Sequence, residues 1–115
     1  MIAVALGVMV IRQEILENNW GDRAWSLQCK AEIRFYDPLS HWECYVLAVN
    51  PADHDEIYAI VNGYQPMAGA WSLKAILACY NANGDHPSID REFVPRDAFI
   101  LFKQLRERSY DTSRD

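Results

Sequence analysis

Histidine and carboxylate side chains are the groups in this sequence that could do chemistry. The chain has three histidines, His41, His54 and His86. His54 lies in the acidic segment Asp53–Glu56, whose composition is that of a metal site. A calcium loop needs a longer run of alternating oxygen ligands, a glycine and a distant glutamate, and none of these follows. We therefore interpret the segment as a solvated turn and predict neither a metal site nor a cofactor.

Nucleophile motifs are also missing from the sequence. Cys29, Cys44 and Cys79 are widely spaced and form no CxxC pair, so we interpret them as inert core residues and free thiols. Ser72 follows Gly69-Ala70-Trp71 without a GxSxG pattern, and capping of a helix is enough to explain it. No glycine-rich phosphate loop is present. We predict no catalytic residue.

An enzyme remains the alternative, because catalytic groups are brought together in space and not along the sequence. It would be a small hydrolase or nuclease whose acid, base and nucleophile come from distant segments. The residues that could contribute are His41, Asp53, His54, Asp55 and His86. We expect at least two of them to share one pocket if this alternative holds.

The composition predicts one acidic globular domain over residues 1–115. Half of the residues are hydrophobic and the formal net charge is −5, with twelve acidic against six basic side chains before residue 96. Such a charge disfavours direct binding to duplex DNA, which depends on Lys and Arg, and it is compatible with a basic protein partner. Free cysteines fit the reducing cytoplasm. The apolar run Met1–Ile11 is too short to span a membrane, and we interpret it as a core segment.

Periodicity predicts an α+β fold, an antiparallel three- to four-stranded meander packed against two or three helices. Alternation over Trp25–Phe35 predicts a first strand with one wet face. Turns at residues 37–40 and 50–55 lead to strands His41–Val49 and Glu56–Asn62. Residues 63–69 are expected to form a loop that contains Pro66. Residues 85–95 are expected to form a loop or a short edge strand.

Helical spacing predicts helices around these strands. One runs from Val8 to about Asn19 and stops at Asn18–Gly21. A short one, Leu73–Tyr80, follows the cap Ser72. The last begins at Arg96 or Asp97 and ends near Ser109, with an apolar stripe of Phe99, Leu101, Phe102 and Leu105. We expect residues 1–7 and 110–115 to be frayed.

Residues 33–95 resemble the DUF2958 family, whose function is unknown and whose members occur in plasmids, phages and other mobile elements. The matching segments are Arg34–Pro38, Trp42 with Tyr45, Tyr58–Pro66, Gly69–Leu73 and Ile89–Pro95. The family tends to carry an acidic residue before its Gly-aromatic-Ser-Leu stretch, where this chain has Met67-Ala68. The resemblance implies a mobile-element setting and brings no enzyme activity with it.

These observations predict a non-enzymatic binding or inhibitor protein that acts by protein–protein contact. Anti-defence factors of mobile elements, such as anti-CRISPR or antirestriction proteins, are the expected class, and a host nuclease or nucleic-acid-binding effector is the expected partner. The contact surfaces are the 50–56 turn and the 63–71 loop, because both lie at strand ends. Their predicted partner-binding residues are Asp53, Asp55, Glu56, Tyr64, Gln65 and Trp71. A structural oligomeric module is a further alternative, and a long uncovered apolar sheet edge would be its sign.

Overall fold

The structure is a computed structural model, which describes the backbone of residues 2–114 and the side chains of residues 7–108. This part of the chain forms five helices and seven strands, so the predicted α+β class is confirmed. The helices are α1 (Ile2–Ile11), α2 (Gln13–Asn19), α3 (Asp22–Trp25), α4 (Leu73–Ala78) and α5 (Ala98–Arg114). The strands are β1 (Lys30–Ala31), β2 (Ile33–Tyr36), β3 (Glu43–Asn50), β4 (Asp53–Asn62), β5 (Pro66–Ser72), β6 (Ser88–Ile89) and β7 (Arg96–Asp97).

The main sheet has five strands in the order β5-β4-β3-β2-β6, and every neighbouring pair is antiparallel. Consecutive strands from β2 to β5 are therefore neighbours, which the short connections between them require. The strands β1 and β7 pair separately in a two-stranded sheet that the sequence did not predict. The main sheet is also wider than expected, because β5 is added at one of its edges.

Helices cover both faces of the main sheet. On one face Leu16 of α2 and Ile76 of α4 pack with Phe35 of β2. On the other face Leu101 of α5 packs with Leu47 of β3. One wet face was predicted for the first strand, and in β2 buried residues do alternate with half-buried ones, whereas β3 at the centre is buried throughout except at its two ends. A strand buried on both faces is apolar without alternation, as β3 is.

A bulge in β3 assigns its residues to the two faces. The register against β4 shifts between Val46 and Ala48, so that Leu47 has no partner of its own. Leu47 and Ala48 consequently both lie in the α5-side core, while Val46 and Val49 lie in the opposite core. The carbonyl of Leu47 accepts a hydrogen bond of 3.0 Å from the buried Asn19 side chain. Thus α2 holds the bulge in place.

The predicted first strand, Trp25–Phe35, is wrong in its first half. Trp25 ends α3, and Leu27 has a φ of 58°, which turns the chain out of extended geometry. The Trp25 ring packs between Trp20 and Tyr58, with centroid distances of 4.7 and 4.5 Å. The aromatic contact and the left-handed turn hold this segment out of strand geometry, although its residues alternate. Within the alternating segment, only β1 and β2 are strands.

The helix predictions are confirmed in type and corrected in detail. The helix predicted to start at Val8 is two helices, α1 and α2, which meet at Arg12. The expected stop is confirmed, because α2 ends at Asn19. Helix α5 begins at Ala98, and Asp97 accepts a 2.9 Å hydrogen bond from the Ile100 amide. Its stripe is narrower than predicted, since Phe99 is 60% exposed.

Between these helices, one loop prediction is wrong. The loop expected at residues 63–69 is mostly strand β5, with Pro66 at its first position, where a missing N–H is tolerated. Ser72 caps α4, as predicted, by accepting from the Ala75 amide at 3.2 Å. Residues 85–95 contain the expected short edge strand, β6. Most of the side chains at 1–7 and 110–115 lie outside the described residues, so fraying of these ends stays a prediction.

Candidate functional site: the β4–β5 hairpin

The tip of the β4–β5 hairpin presents the most exposed aromatic ring among the described side chains. Asn62 and Pro66 form the last pair of the two strands, so the tip consists of Gly63, Tyr64 and Gln65. Tyr64 is fully exposed. A Cβ on Gly63 would lie 3.4 Å from the Trp42 indole, which shows that the tip backbone rests on that ring. Gly63 therefore lies close to the Trp42 ring, while the Tyr64 side chain beside it extends into solvent.

Strand β5, which follows the tip, is an open sheet edge. Its only strand partner among the described strands is β4, and none of its seven residues is buried. Met67 is 53% exposed, and the Trp71 indole N–H donates to the Ala59 carbonyl at 3.3 Å. The seven residues, PMAGAWS, carry no charge. An edge strand leaves alternate backbone N–H and C=O groups unpaired, so β5 offers a row of hydrogen-bonding groups to another strand.

The other predicted contact surface lies at the opposite end of β4. Asp55 accepts hydrogen bonds from the Ser72 hydroxyl at 2.7 Å and from the Lys74 amide at 2.8 Å. These bonds, with the Ser72 hydroxyl first, hold the pKa of Asp55 below its usual value. Glu56 accepts from the Asn50 side chain at 2.8 Å, and the Asp53 carboxylate accepts from the Asp55 amide at 3.1 Å. These carboxylates therefore also order the turn and the start of α4.

The predicted partner-binding residues form two groups within one chain. Tyr64 and Gln65 follow the last residue of β4, whereas Asp53, Asp55 and Glu56 lie at its beginning. Trp71 belongs to the second group, because it pairs with Ile57. A strand rises about 3.3 Å per residue, so the ten residues of β4 separate the groups by roughly 30 Å. The sequence could not show this separation, because residues 63–69 were predicted to be a loop and not part of a strand.

The three histidines of the enzyme alternative lie in separate surroundings. His54 Nε2 lies 2.8 Å from a Glu17 carboxylate oxygen, and His86 Nδ1 lies 2.7 Å from the Cys79 carbonyl oxygen. His41 is exposed in the connection before β3. Neither these histidines nor Asp53 and Asp55 line the cleft described next. In the part of the chain that the structure describes, no three His, Cys, Asp or Glu side chains lie close enough to hold a metal ion.

A charged cleft of about 730 Å³ lies between α5, the β2–β3 strands and residues 90–96, and the sequence did not predict it. At its base Arg34 bonds Glu43 at 3.0 Å and Asp90 at 3.1 Å. Tyr45 donates to Glu43 at 2.7 Å and Asn62 does so at 3.2 Å. Burial raises the pKa of Glu43, but these hydrogen bonds and the guanidinium of Arg34 together hold it below its usual value.

The ion pairs and hydrogen bonds at the base of the cleft connect elements that are distant in sequence. Arg34 and Asp90 are 56 residues apart, so no local spacing reveals their contact. Both belong to segments that carry the family resemblance, which is the one signal in the sequence that marked them. The charges at the base of the cleft are paired with each other. A structural role, in which Arg34 joins Glu43 and Asp90, is therefore enough to explain the presence of these charged residues.

The cysteines agree with the prediction in two cases and not in the third. All three are free thiols. Burial raises the pKa of Cys44 to about 12 and, as the largest of several effects, that of Cys29 to about 11, so both stay protonated and unreactive. Cys79 is exposed and is not a core residue. Cys79 follows the last residue of α4, and its thiol donates to the carbonyl of Ala75 within that helix at 3.4 Å.

Comparison with known proteins gives no relative for this chain. No protein-family model matches the sequence, and neither a curated protein nor a solved structure matches it. The resemblance to the DUF2958 family therefore stays a hypothesis. None of the helices described is long and apolar enough to cross a membrane.

Proposed function

We propose that this chain is a non-catalytic binding protein that acts through contact of its β4–β5 hairpin with another protein. The observation that carries the proposal is the fully exposed Tyr64, at a hairpin tip whose Gly63 lies close to the Trp42 indole. Exposed tyrosines on rigid supports give large contact area at low entropic cost, and tyrosine is enriched among residues that dominate binding energy. Gln65 beside it adds an amide that both donates and accepts.

The setting that we propose is a mobile genetic element, with a host nuclease or nucleic-acid-binding effector as the partner. This part rests on the resemblance stated above and on the net charge of −5. An acidic surface is attracted to the basic proteins that bind nucleic acid and is repelled by duplex DNA itself. Inhibition of a defence system by contact needs no catalytic group. Free thiols make the cytoplasm the compartment that we propose.

The enzyme alternative receives no support from the site. Its histidines and aspartates contact other parts of the surface and do not line the cleft, as a shared active site would require. The oligomeric alternative does receive support, because β5 is the uncovered edge that would be its sign.

Capture experiments with two matched variants test the proposed function. Tyr64→Ser removes the ring at the tip, and Tyr80→Ser removes a second exposed ring that lies beyond α4. We expect the wild-type chain and Tyr80→Ser to capture the same protein from a lysate of the source cells. We expect Tyr64→Ser to bind that protein, once it is identified and purified, at least about tenfold more weakly by calorimetry.

Two results would contradict the proposal. One is that the wild-type chain captures no protein that Tyr64→Ser loses. The other is that the two tyrosine variants weaken binding equally, since a general loss of apolar surface would then explain both.

A further inference from the structure

We propose that β5 pairs with β5 of a second copy of this chain, antiparallel and centred on Gly69, and so joins two sheets into one. The inference deepens the proposed function, because its last step rests on the hairpin being the contact surface. The other edge strand of the main sheet, β6, has two residues, whereas β5 has seven. Within the described chain β5 is therefore the one edge long enough to accept a full strand.

Strand β5 carries few of the features that keep natural sheet edges apart. Such features are charged side chains, prolines within the strand, bulges, and covering by another element. Residues 66–72 contain no charge, and their one proline is at the first position. The register with β4 runs without a shift from Ser72 to Pro66. Helices α4 and α5 contact β5 but leave it partly open, because three of its residues are exposed and four are half-buried.

The order of residue sizes in β5 fits a second copy of the same strand. In an antiparallel pair centred on Gly69, residue Met67 lies opposite Trp71 of the other copy, and Ala68 lies opposite Ala70. Large side chains thus meet on one face of the joined sheet, and a methionine sulfur beside an aromatic ring is a favourable contact. Small side chains meet on the other face. The twofold axis passes between the two glycines, where the backbones are unobstructed.

Charge also favours this edge as the place where two copies meet. Each copy carries a formal net charge of −5, so most surfaces of one copy repel the other. The uncharged β5 avoids that repulsion. In the proposed pair the end of β5 in one copy, which Lys74 follows in α4, lies beside the hairpin tip of the other copy, which carries Tyr64. An ammonium group beside a tyrosine ring is attracted to its face.

Pairing of this kind would unite the two groups of predicted partner-binding residues. Within one chain Tyr64 and Gln65 lie roughly 30 Å from Asp55 and Glu56. In the pair, the tip of one copy lies beside the end of β5 in the other, where Asp55 bonds Ser72. Two equivalent composite surfaces result, each with an aromatic tip from one copy and carboxylates from the other.

The expected association is concentration-dependent. Seven residues on each side form about six to eight backbone hydrogen bonds, since alternate pairs exchange two bonds each. A strand edge alone buries less than the ~800 Å² per partner that stable complexes commonly bury. Monomer and dimer should therefore exchange over concentrations between about 1 μM and 1 mM.

Sedimentation of the full chain and of two charge variants at residue 69 tests the inference. A Cβ at Gly69 meets only Trp71 Nε1, at 3.9 Å, so side chains fit there in the monomer. Wild type should shift from 13.3 kDa to twice that mass as its concentration rises. Gly69→Lys and Gly69→Asp should each stay monomeric, because like charges face each other across the axis. An equimolar mixture of the two should regain the dimer.

Ala82→Lys adds the same charge in the exposed turn after α4 and should dimerise as wild type does. Wild type that stays monomeric at 1 mM, or residue-69 variants that dimerise like wild type, would overturn the inference. If a variant does not fold, hydrogen exchange of wild type decides, since amides of residues 66–72 must gain protection with concentration. A monomer that still binds a partner through Tyr64 would leave the proposed function standing.

Discussion

Glu43 is the residue on which the charged cleft depends. Arg34 approaches it with two nitrogens, at 3.2 and 3.0 Å, and an Arg108 nitrogen lies 3.6 Å from its other oxygen. Asn62 adds a hydrogen bond from β4. Through Asp90, Arg34 extends the network to the segment after β6. One carboxylate and one guanidinium thus join three strands and a loop, and removal of either partner takes the closest opposite charge away from a partly buried group.

Arg34→Met should therefore destabilise the chain by about 2 to 3 kcal/mol, because it removes the closer of the two cations at Glu43 and the cation that pairs with Asp90. Arg91→Met, one residue beyond Asp90 and exposed, is the matched control and should change stability by less than about 0.5 kcal/mol. Urea denaturation measures both. Equal midpoints for the two variants would show that the network contributes nothing to stability.

At the scale of the elements, the bulge in β3 decides which residues reach which core. Because side chains alternate along a strand, one extra residue reverses the faces of everything after it. Leu47 lies at that point, and the side-chain amide of Asn19 donates a hydrogen bond to its carbonyl oxygen. The end of α2 is thereby tied to the middle of the sheet, between the two cores. A helix terminus is thus hydrogen-bonded to the bulge of a strand that lies 28 residues away.

Asn19→Ala should cost about 1 to 3 kcal/mol of unfolding free energy, since it leaves the buried Leu47 carbonyl without a donor. Asn18→Ala alters the exposed neighbour on the same turn and serves as control. Thermal and urea unfolding should separate the two variants clearly. A loss no larger than that of Asn18→Ala would mean that the bulge is held by packing alone.

For the whole molecule, the acidic groups determine how stability depends on pH. The pKa values of Asp37 and Asp55 are lowered, chiefly by hydrogen bonds from Asn81 and Ser72 respectively. In Glu43 the hydrogen bonds outweigh burial, and its pKa is also lowered. Each group therefore binds its proton more weakly in the folded than in the unfolded chain. Their stabilisation is complete above the ordinary values of 3.8 and 4.5 and is lost as the pH falls through the lower folded values.

The melting temperature should accordingly be flat, as far as these groups are concerned, from pH 7 to about pH 5 and should fall below about pH 4. Glu43→Gln should lower the Tm at neutral pH and flatten the acid decline, because it removes one of the groups that titrate. Calorimetric scans at several pH values measure both effects. A variant with the same acid slope as wild type would show that Glu43 does not contribute to the decline.

What the sequence by itself determined is the local part of the fold. The α+β class, the cap at Ser72, the stop of α2 at Asn19 and the positions of β3 and β4 follow from periodicity and from capping residues, which act over neighbouring positions. Tyr64 and Trp71 were also singled out from the sequence. Their residue types and their turn-rich surroundings need no knowledge of distant contacts.

Only the tertiary structure decided how these pieces meet. Burial of β3 on both faces depends on helices from both ends of the chain, and the contact of Arg34 with Asp90 spans 56 residues. The sequence did not predict strand β5, because apolar and polar residues do not alternate clearly along it. Its pairing with β4 makes this segment a strand. Hydrogen bonds between strands and ion pairs in clefts join residues that are distant along the chain, and such pairing leaves no period in the sequence.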